Sequence, residues 1–242
     1  FARSLLTAFV MIASLNSFLS FGNYFSDEVL KSAVDSNPSH PFNLSQSSTI
    51  DGTAVDQDGN TFEYINYDIL DWSIKNAEVE TYRDGTPIPQ VTDDSEWNNL
   101  TTGAWCYLNN DSSQGKLYNW FAVAGIHDND PNTPNKEFAP QGWFVPDQNQ
   151  FYELRQYLIE SGFNFDGSSS NVAQNTLGKA MSSSSGWTIF SGGTNDKVGV
   201  NQTLNNSTGF NITPDAYRDI TGFGTPGQTG YVWLSNETSS VM

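Results

Sequence analysis

Apolar positions follow two different rules along this chain. Between Arg3 and Asp27 lie 23 residues without a charge, with LLTAFVMIASLNSFLSFG at their centre. As a helix this stretch rises roughly 34 Å, about the thickness of a bilayer core. Helical spacing continues through residues 27–34, and Asp35-Ser36-Asn37-Pro38 reads as a stop, because proline disfavours helix at the residue before it. The pattern predicts one helix over residues 1–36, some ~50 Å long. Residues 37–50, NPSHPFNLSQSSTI, are polar and rich in Pro and Ser, and read as a linker.

From Asp51 helical periodicity becomes rare. Short aromatic or β-branched runs alternate with Gly, Asn, Asp and Ser clusters, the pattern of a loop-rich head with short strands. Asp58-Gly59-Asn60 predicts a tight turn between two strands. The clearest helix of the head is residues 147–161. Asp147 supplies a cap, Phe151, Leu154, Tyr157 and Leu158 fall on one face, and Gly162 stops it. A short helix over 172–181 and a single turn at Asp93-Asp94-Ser95-Glu96-Trp97 complete the expected elements. The fold class is α+β: a long N-terminal helix (1–36), a linker (37–50) and a head (51–242) with short antiparallel strands and one or two helices.

The uncharged opening stretch admits three readings. A signal peptide would use Arg3, the apolar run and a small-residue cleavage site. A membrane anchor would have to bury Ser14, Asn16, Ser17, Ser20 and Asn23 in lipid. In a packing helix those small and hydroxylated residues allow close approach between helices. A helix apolar all round needs cover on every side, and a bundle of identical copies supplies it. A first residue Phe rather than Met implies prior processing. With the uncharged helix behind it, this opening resembles the type IV pilin-like proteins, although Leu5 and Gly22 stand where many bacterial members carry Glu and Pro. The resemblance implies that a peptidase cuts before Phe1, that the helix rests in the inner membrane before assembly, and that it then enters a filament core. The core residues would be Phe1, Leu5, Leu6, Phe9, Val10, Ile12, Leu15, Phe18, Leu19 and Phe21.

The head carries a second resemblance. Tyr82-Arg83-Asp84-Gly85-Thr86-Pro87-Ile88-Pro89 is followed by Trp97, Leu100-Thr101-Thr102-Gly103-Ala104-Trp105-Cys106-Tyr107 and Leu117-Tyr118-Asn119-Trp120-Phe121. Gly142-Trp143-Phe144-Val145-Pro146, Gly209-Phe210, Tyr217-Arg218-Asp219 and Tyr231-Val232-Trp233-Leu234-Ser235 come later. In this order they resemble the Fibrobacter succinogenes major paralogous (FISUMP) domain. The resemblance implies a C-type-lectin-like fold in cell-surface proteins. Two departures stand out: Ala139 sits where the family usually has Cys, and the family's usual last strand is not found after Glu237, so either the sequence is incomplete or the domain closes differently. A neighbour's linker adding a strand would fill such a gap. The pieces themselves read as framework. Gly85, Pro87 and Pro89 fix a turn, and Trp105, Trp120, Trp143, Trp187 and Trp233 supply buried area. Arg218, beside Asp219, is placed for an internal ion pair.

Composition narrows the function. Ten Lys and Arg face 27 Asp and Glu, a formal charge of −17, which argues against nucleic acid as a partner. Aromatics at 14% argue against disorder, and a single cysteine, Cys106, excludes an intramolecular disulfide framework. No G-x-S-x-G, H-E-x-x-H, phosphate loop or dinucleotide fingerprint occurs, and His40 and His127 stand far apart, so no enzyme is expected. No resident cofactor is expected either, with calcium the one candidate, since it takes oxygen ligands from acidic loops. Its ligands would be Asp56, Asp58 and Asn60, or Asp128 and Asp130 with Asn132, Asn135 and Glu137. Asn-x-Ser/Thr acceptors begin at Asn43, Asn99, Asn110, Asn201, Asn205, Asn206, Asn211 and Asn236, eight against roughly five expected by chance. The expected function is a structural, pilin-like subunit of an extracellular cell-surface filament, a helical homopolymer. The alternative is a membrane-anchored adhesin or glycan-binding module with surface polysaccharide as partner.

Overall fold

The computed structural model describes the backbone of residues 13–15 and the full residues 50–169 and 176–236. Most of the expected N-terminal helix, including Phe1, Leu5, Leu6, Phe9, Val10, Ile12, Phe18, Leu19 and Phe21, lies outside the described residues. So do the linker up to residue 49, with His40 and Asn43, and residues 172–175 of the second expected head helix. The three described N-terminal residues correct the helix expectation where they fall. Ala13–Leu15 is a strand, β1, and not a helical turn.

The head is a mixed α+β domain of short antiparallel sheets and few helices. Strands β2 (Gly52–Val55), β3 (Thr61–Tyr67) and β4 (Leu70–Ser73) form successive antiparallel pairs. With β1 and β7 (Trp143–Phe144) they make a five-stranded sheet in the order β2-β3-β4-β1-β7. β5 (Trp105–Tyr107) pairs with β6 (Lys116–Tyr118), and β8 (Arg218–Asp219) with β9 (Gly222–Phe223). The β2–β3 turn forms as the sequence predicts. Gly59 takes φ +87°, open to glycine, and Asp56 accepts from the amides of Asp58 and Asn60 through one carboxylate oxygen.

Helices α1 (Asp94–Asn98), α2 (Trp120–Val123), α3 (Gln148–Glu160) and α4 (Leu177–Met181) are held by local capping and by packing. In α3, Asp147 accepts from the Gln150 amide while the Gln150 side chain accepts from the Asp147 amide, a reciprocal cap that satisfies two otherwise orphaned donors. Its buried residues are Leu154, Leu158 and Ile159, with Phe151 and Tyr157 at the margin. Asp93 and Asn119 cap α1 and α2 through their side-chain oxygens.

Pleating distributes side chains among three buried clusters. Phe62 and Tyr64 of β3 join one, with Tyr82, Trp105, Tyr118, Phe138 and Trp143. Ile65 and Tyr67, on the opposite face, join a second with Trp72, Leu158, Leu177 and Phe210. Strands β5 and β6 divide in the same way: the register partners Trp105 and Tyr118 face the first cluster, while Cys106 and Leu117 face a third with Val91, Trp97 and Ala216. Of the tryptophans expected in the core, Trp105 and Trp143 are buried, while Trp120, Trp187 and Trp233 are only half-buried. Trp72 and Trp97 are the deepest. Trp233 and Ser235 lie against the end of β6 and the chain just before α3. The Trp233 indole donates to the Tyr118 carbonyl at 2.9 Å, and the Ser235 amide to Pro146 at 2.9 Å.

Candidate functional site

The side chains able to do chemistry are, for the most part, used to hold loops. Asp58 accepts from the amides of Glu80 and Thr81 and from the Thr81 hydroxyl, tying the β2–β3 turn to the chain 22 and 23 residues further on. Asn60 donates to Asp56 at 2.9 Å. The turn does bring Asp56, Asp58 and Asn60 together, but the carboxylate oxygens point at amide donors of the protein itself.

The second calcium candidate lies on the loop 126–135. Its neck is closed by the Lys136 amide donating to Gly125 at 2.9 Å. Gly125 takes φ +76°, and a Cβ there would strike the Lys136 backbone, so only glycine fits. Asp128 and Asp130 each fold back on the chain: Asp128 accepts from the Asp130 amide and Asp130 from the amide and side chain of Asn132. The Asn132 amide and side chain together hold the Asp130 carboxyl below its usual range. Asn135 donates to Ala124, and Glu137 sits 3.8 Å from Arg83. Among the described residues no group of three or more His, Cys, Asp or Glu is arranged to hold a metal ion.

Clefts flank this loop. One of about 430 Å³ is lined by Phe121, His127, Asp128 and Asp130, and one of about 530 Å³ by Arg83, Asp84, His127, Lys136 and Glu137. In the second cleft the charges are already paired, Arg83 with Glu137 and Lys136 with Asp84. Lys136 lies 2.5 Å from Asp84, and that contact depresses the Asp84 carboxyl strongly. The Arg83 guanidinium donates to the carbonyls of Ala139 and Trp143 at 2.8 Å each. His127, an expected loop residue, is 3.3 Å from Asp128.

Three cations are buried among the described residues: Lys116, which reaches the Glu78 carbonyl and Glu80 at 2.7 Å each, Lys179 and Arg218. Arg218 has no exposed surface. It donates to the carbonyls of Val91 and Thr92 at 2.9 Å each and to Asp94 at 2.6 Å, and stacks 4.5 Å from the Trp97 ring and 4.9 Å from Phe223. Its acidic partner is therefore Asp94. Asp219, the neighbour in sequence, turns instead to the amide and hydroxyl of Thr221. Lys179 sits in a cage of oxygens: Val200 at 2.8 Å, Lys197 at 3.2 Å and the Asn205 side chain at 2.7 Å. The sequence pointed to an internal ion pair at Arg218 but not to Asp94 as its partner, and gave no sign of the Lys179 cage. The available signal for Lys179 was a single base inside the apolar run Leu177-Gly178-Lys179-Ala180-Met181 of a lysine-poor chain. Cys106 is fully buried, and burial pushes its thiol up.

The glycosylation acceptors separate by exposure. Asn99, Asn110, Asn201 and Asn236 are exposed and Asn206 and Asn211 half-buried. Asn205 is buried, and its amide nitrogen donates to Ser183 and Val198, so this site is closed in the folded state.

Such an arrangement defines an aromatic-cored framework domain whose loops are stapled by buried Arg and Lys. The family model of the Fibrobacter succinogenes major domain matches residues 65–242, and the chain belongs to that family. Searches of curated proteins and of solved structures gave no significant match.

Proposed function

We propose that this chain is a non-enzymatic structural subunit of an extracellular, cell-surface filament, displaying an acidic head and assembling through its uncharged N-terminal stretch. The head would be C-type-lectin-like and the processing pilin-like, with the inner membrane a station before assembly. The observation that carries this reading is the strand Ala13–Leu15. Residues 13–15 of the uncharged stretch pair with strands of the head's own sheet, which supports strand pairing as a way for the stretch to join copies. The reading does not need that stretch to be helical at residues 13–15. The paired or buried state of Arg83, Lys136, Arg218, Lys179 and Cys106 supports a framework role over catalysis. A net charge of −17 keeps separate heads apart, so assembly needs a dedicated contact.

Material sheared from producing cells and viewed by negative-stain microscopy should show filaments whose main band begins at Phe1. A chain lacking residues 1–26 should give none. Filaments formed by that deletion would refute the reading. The second reading, an anchored glycan-binding adhesin, draws support from exposed Tyr152 and Phe190, at 54% and 60% accessibility, since aromatic faces stack on sugars. Among the described residues no helix is long and apolar enough to cross a membrane. Specific retention of the full chain on a glycan array, lost in a Tyr152→Ala, Phe190→Ala double variant, would favour it.

A further inference from the structure

The five-stranded sheet contains a slot. β1 is antiparallel to β4 on one side and to β7 on the other, so β4 and β7 run parallel to each other with one strand between them. Without β1 they would stand about 9.5 Å apart, two strand spacings. β4 is built as an interior strand: Leu70, Asp71, Trp72 and Ser73 are all buried. Both walls of the slot belong to the family-matched region 65–242, and the strand that fills it comes from far outside, at residues 13–15. Residues 16–49 join that strand to the head, 34 residues with a reach of roughly 110 Å when extended.

We propose that this slot is the docking site for residues 13–15 of a second copy of the chain, and that copies exchange the strand to form the polymer. The inference rests on the filament reading and names its contact. Any strand entering here is recognised mainly through its main chain, whose amides and carbonyls complete two ladders at once: Ser14 pairs with Asp71 on one side and Trp143 on the other. β4 is buried along its whole length with the strand in place, and the stretch between Arg3 and Asp27 brings no charge into that setting. The strand in the structure occupies the slot of its own chain. A second copy competes when copies are crowded on a surface or aligned in a growing fibre. Exchange costs no contact, since the same residues pair in the same register, and a copy whose strand leaves its own slot offers both a donor and an acceptor. A donor from one copy filling the next is a head-to-tail contact, which propagates as a fibre if it does not close into a ring.

Two full-length variants carrying one added thiol each, Ser14→Cys and Asp71→Cys, test this with Cys106 left in place because it is buried. Opposed residues in antiparallel strands have Cα atoms about 4.5–5.5 Å apart, within disulfide range. Mixed and oxidised together, the two variants should give a disulfide-linked heterodimer that neither gives alone, rising roughly in proportion to chain concentration. In a Ser14→Cys, Asp71→Cys double variant the links should form a ladder in assembled material. A double variant that closes only within its own chain, with no heterodimer in the mixture, overturns the proposal. Filaments in that sample would leave the filament reading standing, and their absence would remove both. Ser14→Pro guards against misfolding of the thiol variants. Proline removes the ladder amide, so copies should no longer associate while the head retains its native tryptophan fluorescence. Association equal to wild type would overturn the proposal.

Discussion

Arg218 is where the structure makes its most exacting energetic demand. Replacing it by Met keeps most of the side-chain volume and removes the guanidinium. The buried Val91 carbonyl then loses a donor at 2.9 Å, at about 1–2 kcal/mol, and the Thr92 carbonyl, exposed and still held by the Asn110 side chain at 3.3 Å, loses about 0.5–1 kcal/mol. Stacking on Trp97 and Phe223 is worth about 1 kcal/mol more. Methionine recovers about 1 kcal/mol by burying its thioether among the same rings. The expected net loss is about 2 kcal/mol, below that for breaking a fully buried ion pair because the Asp94 left behind is 73% exposed. Asp94 should behave differently. Its side chain is 73% exposed and can be rehydrated, so Asp94→Asn should cost about 1 kcal/mol or less. Arg218→Lys should fall between, because an ammonium keeps the charge and loses the planar fork that reaches two carbonyls and a carboxylate together. Equilibrium urea unfolding of the full chain, followed by tryptophan fluorescence, measures all three. Arg218→Met within about 1 kcal/mol of wild type, or equal to Asp94→Asn, would refute the idea that the carbonyl contacts, more than the ion pair, make Arg218 the clasp.

Cys106 should fail to react with a thiol reagent in the native chain at pH 8 and react once in urea, since burial raises its pKa and blocks access; fast native labelling would contradict the packing. Asp84 has its carboxyl depressed chiefly by Lys136, so its stabilising contribution is present above the unfolded value of 3.8 and is lost as pH falls below it. Asp84→Asn should therefore flatten the acid limb of a thermal-stability profile, and an unchanged limb would deny the contact. Asp215 is displaced the opposite way: burial raises its carboxyl, so ionising it costs stability as pH rises from 3.8 through the folded value. Asp215→Asn should melt higher than wild type at pH 7 and lose that advantage below pH 3.8, and a lower melting temperature at pH 7 would refute this.

Local features of the head could be read from sequence because their causes are local. The Asp58-Gly59 turn, the Asp147 cap with the apolar face of α3, and the Asp93 cap of α1 each depend on a few consecutive residues, and each forms where the pattern places it. The family, too, was legible, because its motifs recur in order. What was not legible depends on contacts across the chain. Arg218 passes over its neighbour Asp219 for Asp94, 124 residues away, where the Val91 and Thr92 carbonyls and the Trp97 face complete the site. Trp72 reads as one more aromatic in a short strand, and nothing nearby says that it lies deeper than Trp233. At Ala13–Leu15 the apolar period fits a buried helix, yet tertiary pairing wins. Uncharged residues with small side chains serve either state, and two open strand edges supply hydrogen bonds on both sides.

The same ambiguity bears on assembly. A stretch that is uncharged over 23 residues and small at many positions can lie in lipid, pack against helices or add to a sheet. Only the last use fixes a register. A helix sliding among identical helices meets similar apolar neighbours one turn away, whereas a one-residue slip of β1 would invert the face of every side chain it carries. A filament built on the slot should therefore have a single axial repeat, set by the chain between residue 15 and β2. Shortening residues 16–49 by ten should shorten that repeat or abolish growth, and leave the melting temperature of the head nearly unchanged. A repeat unaffected by the deletion would mean that heads, and not strands, set the spacing.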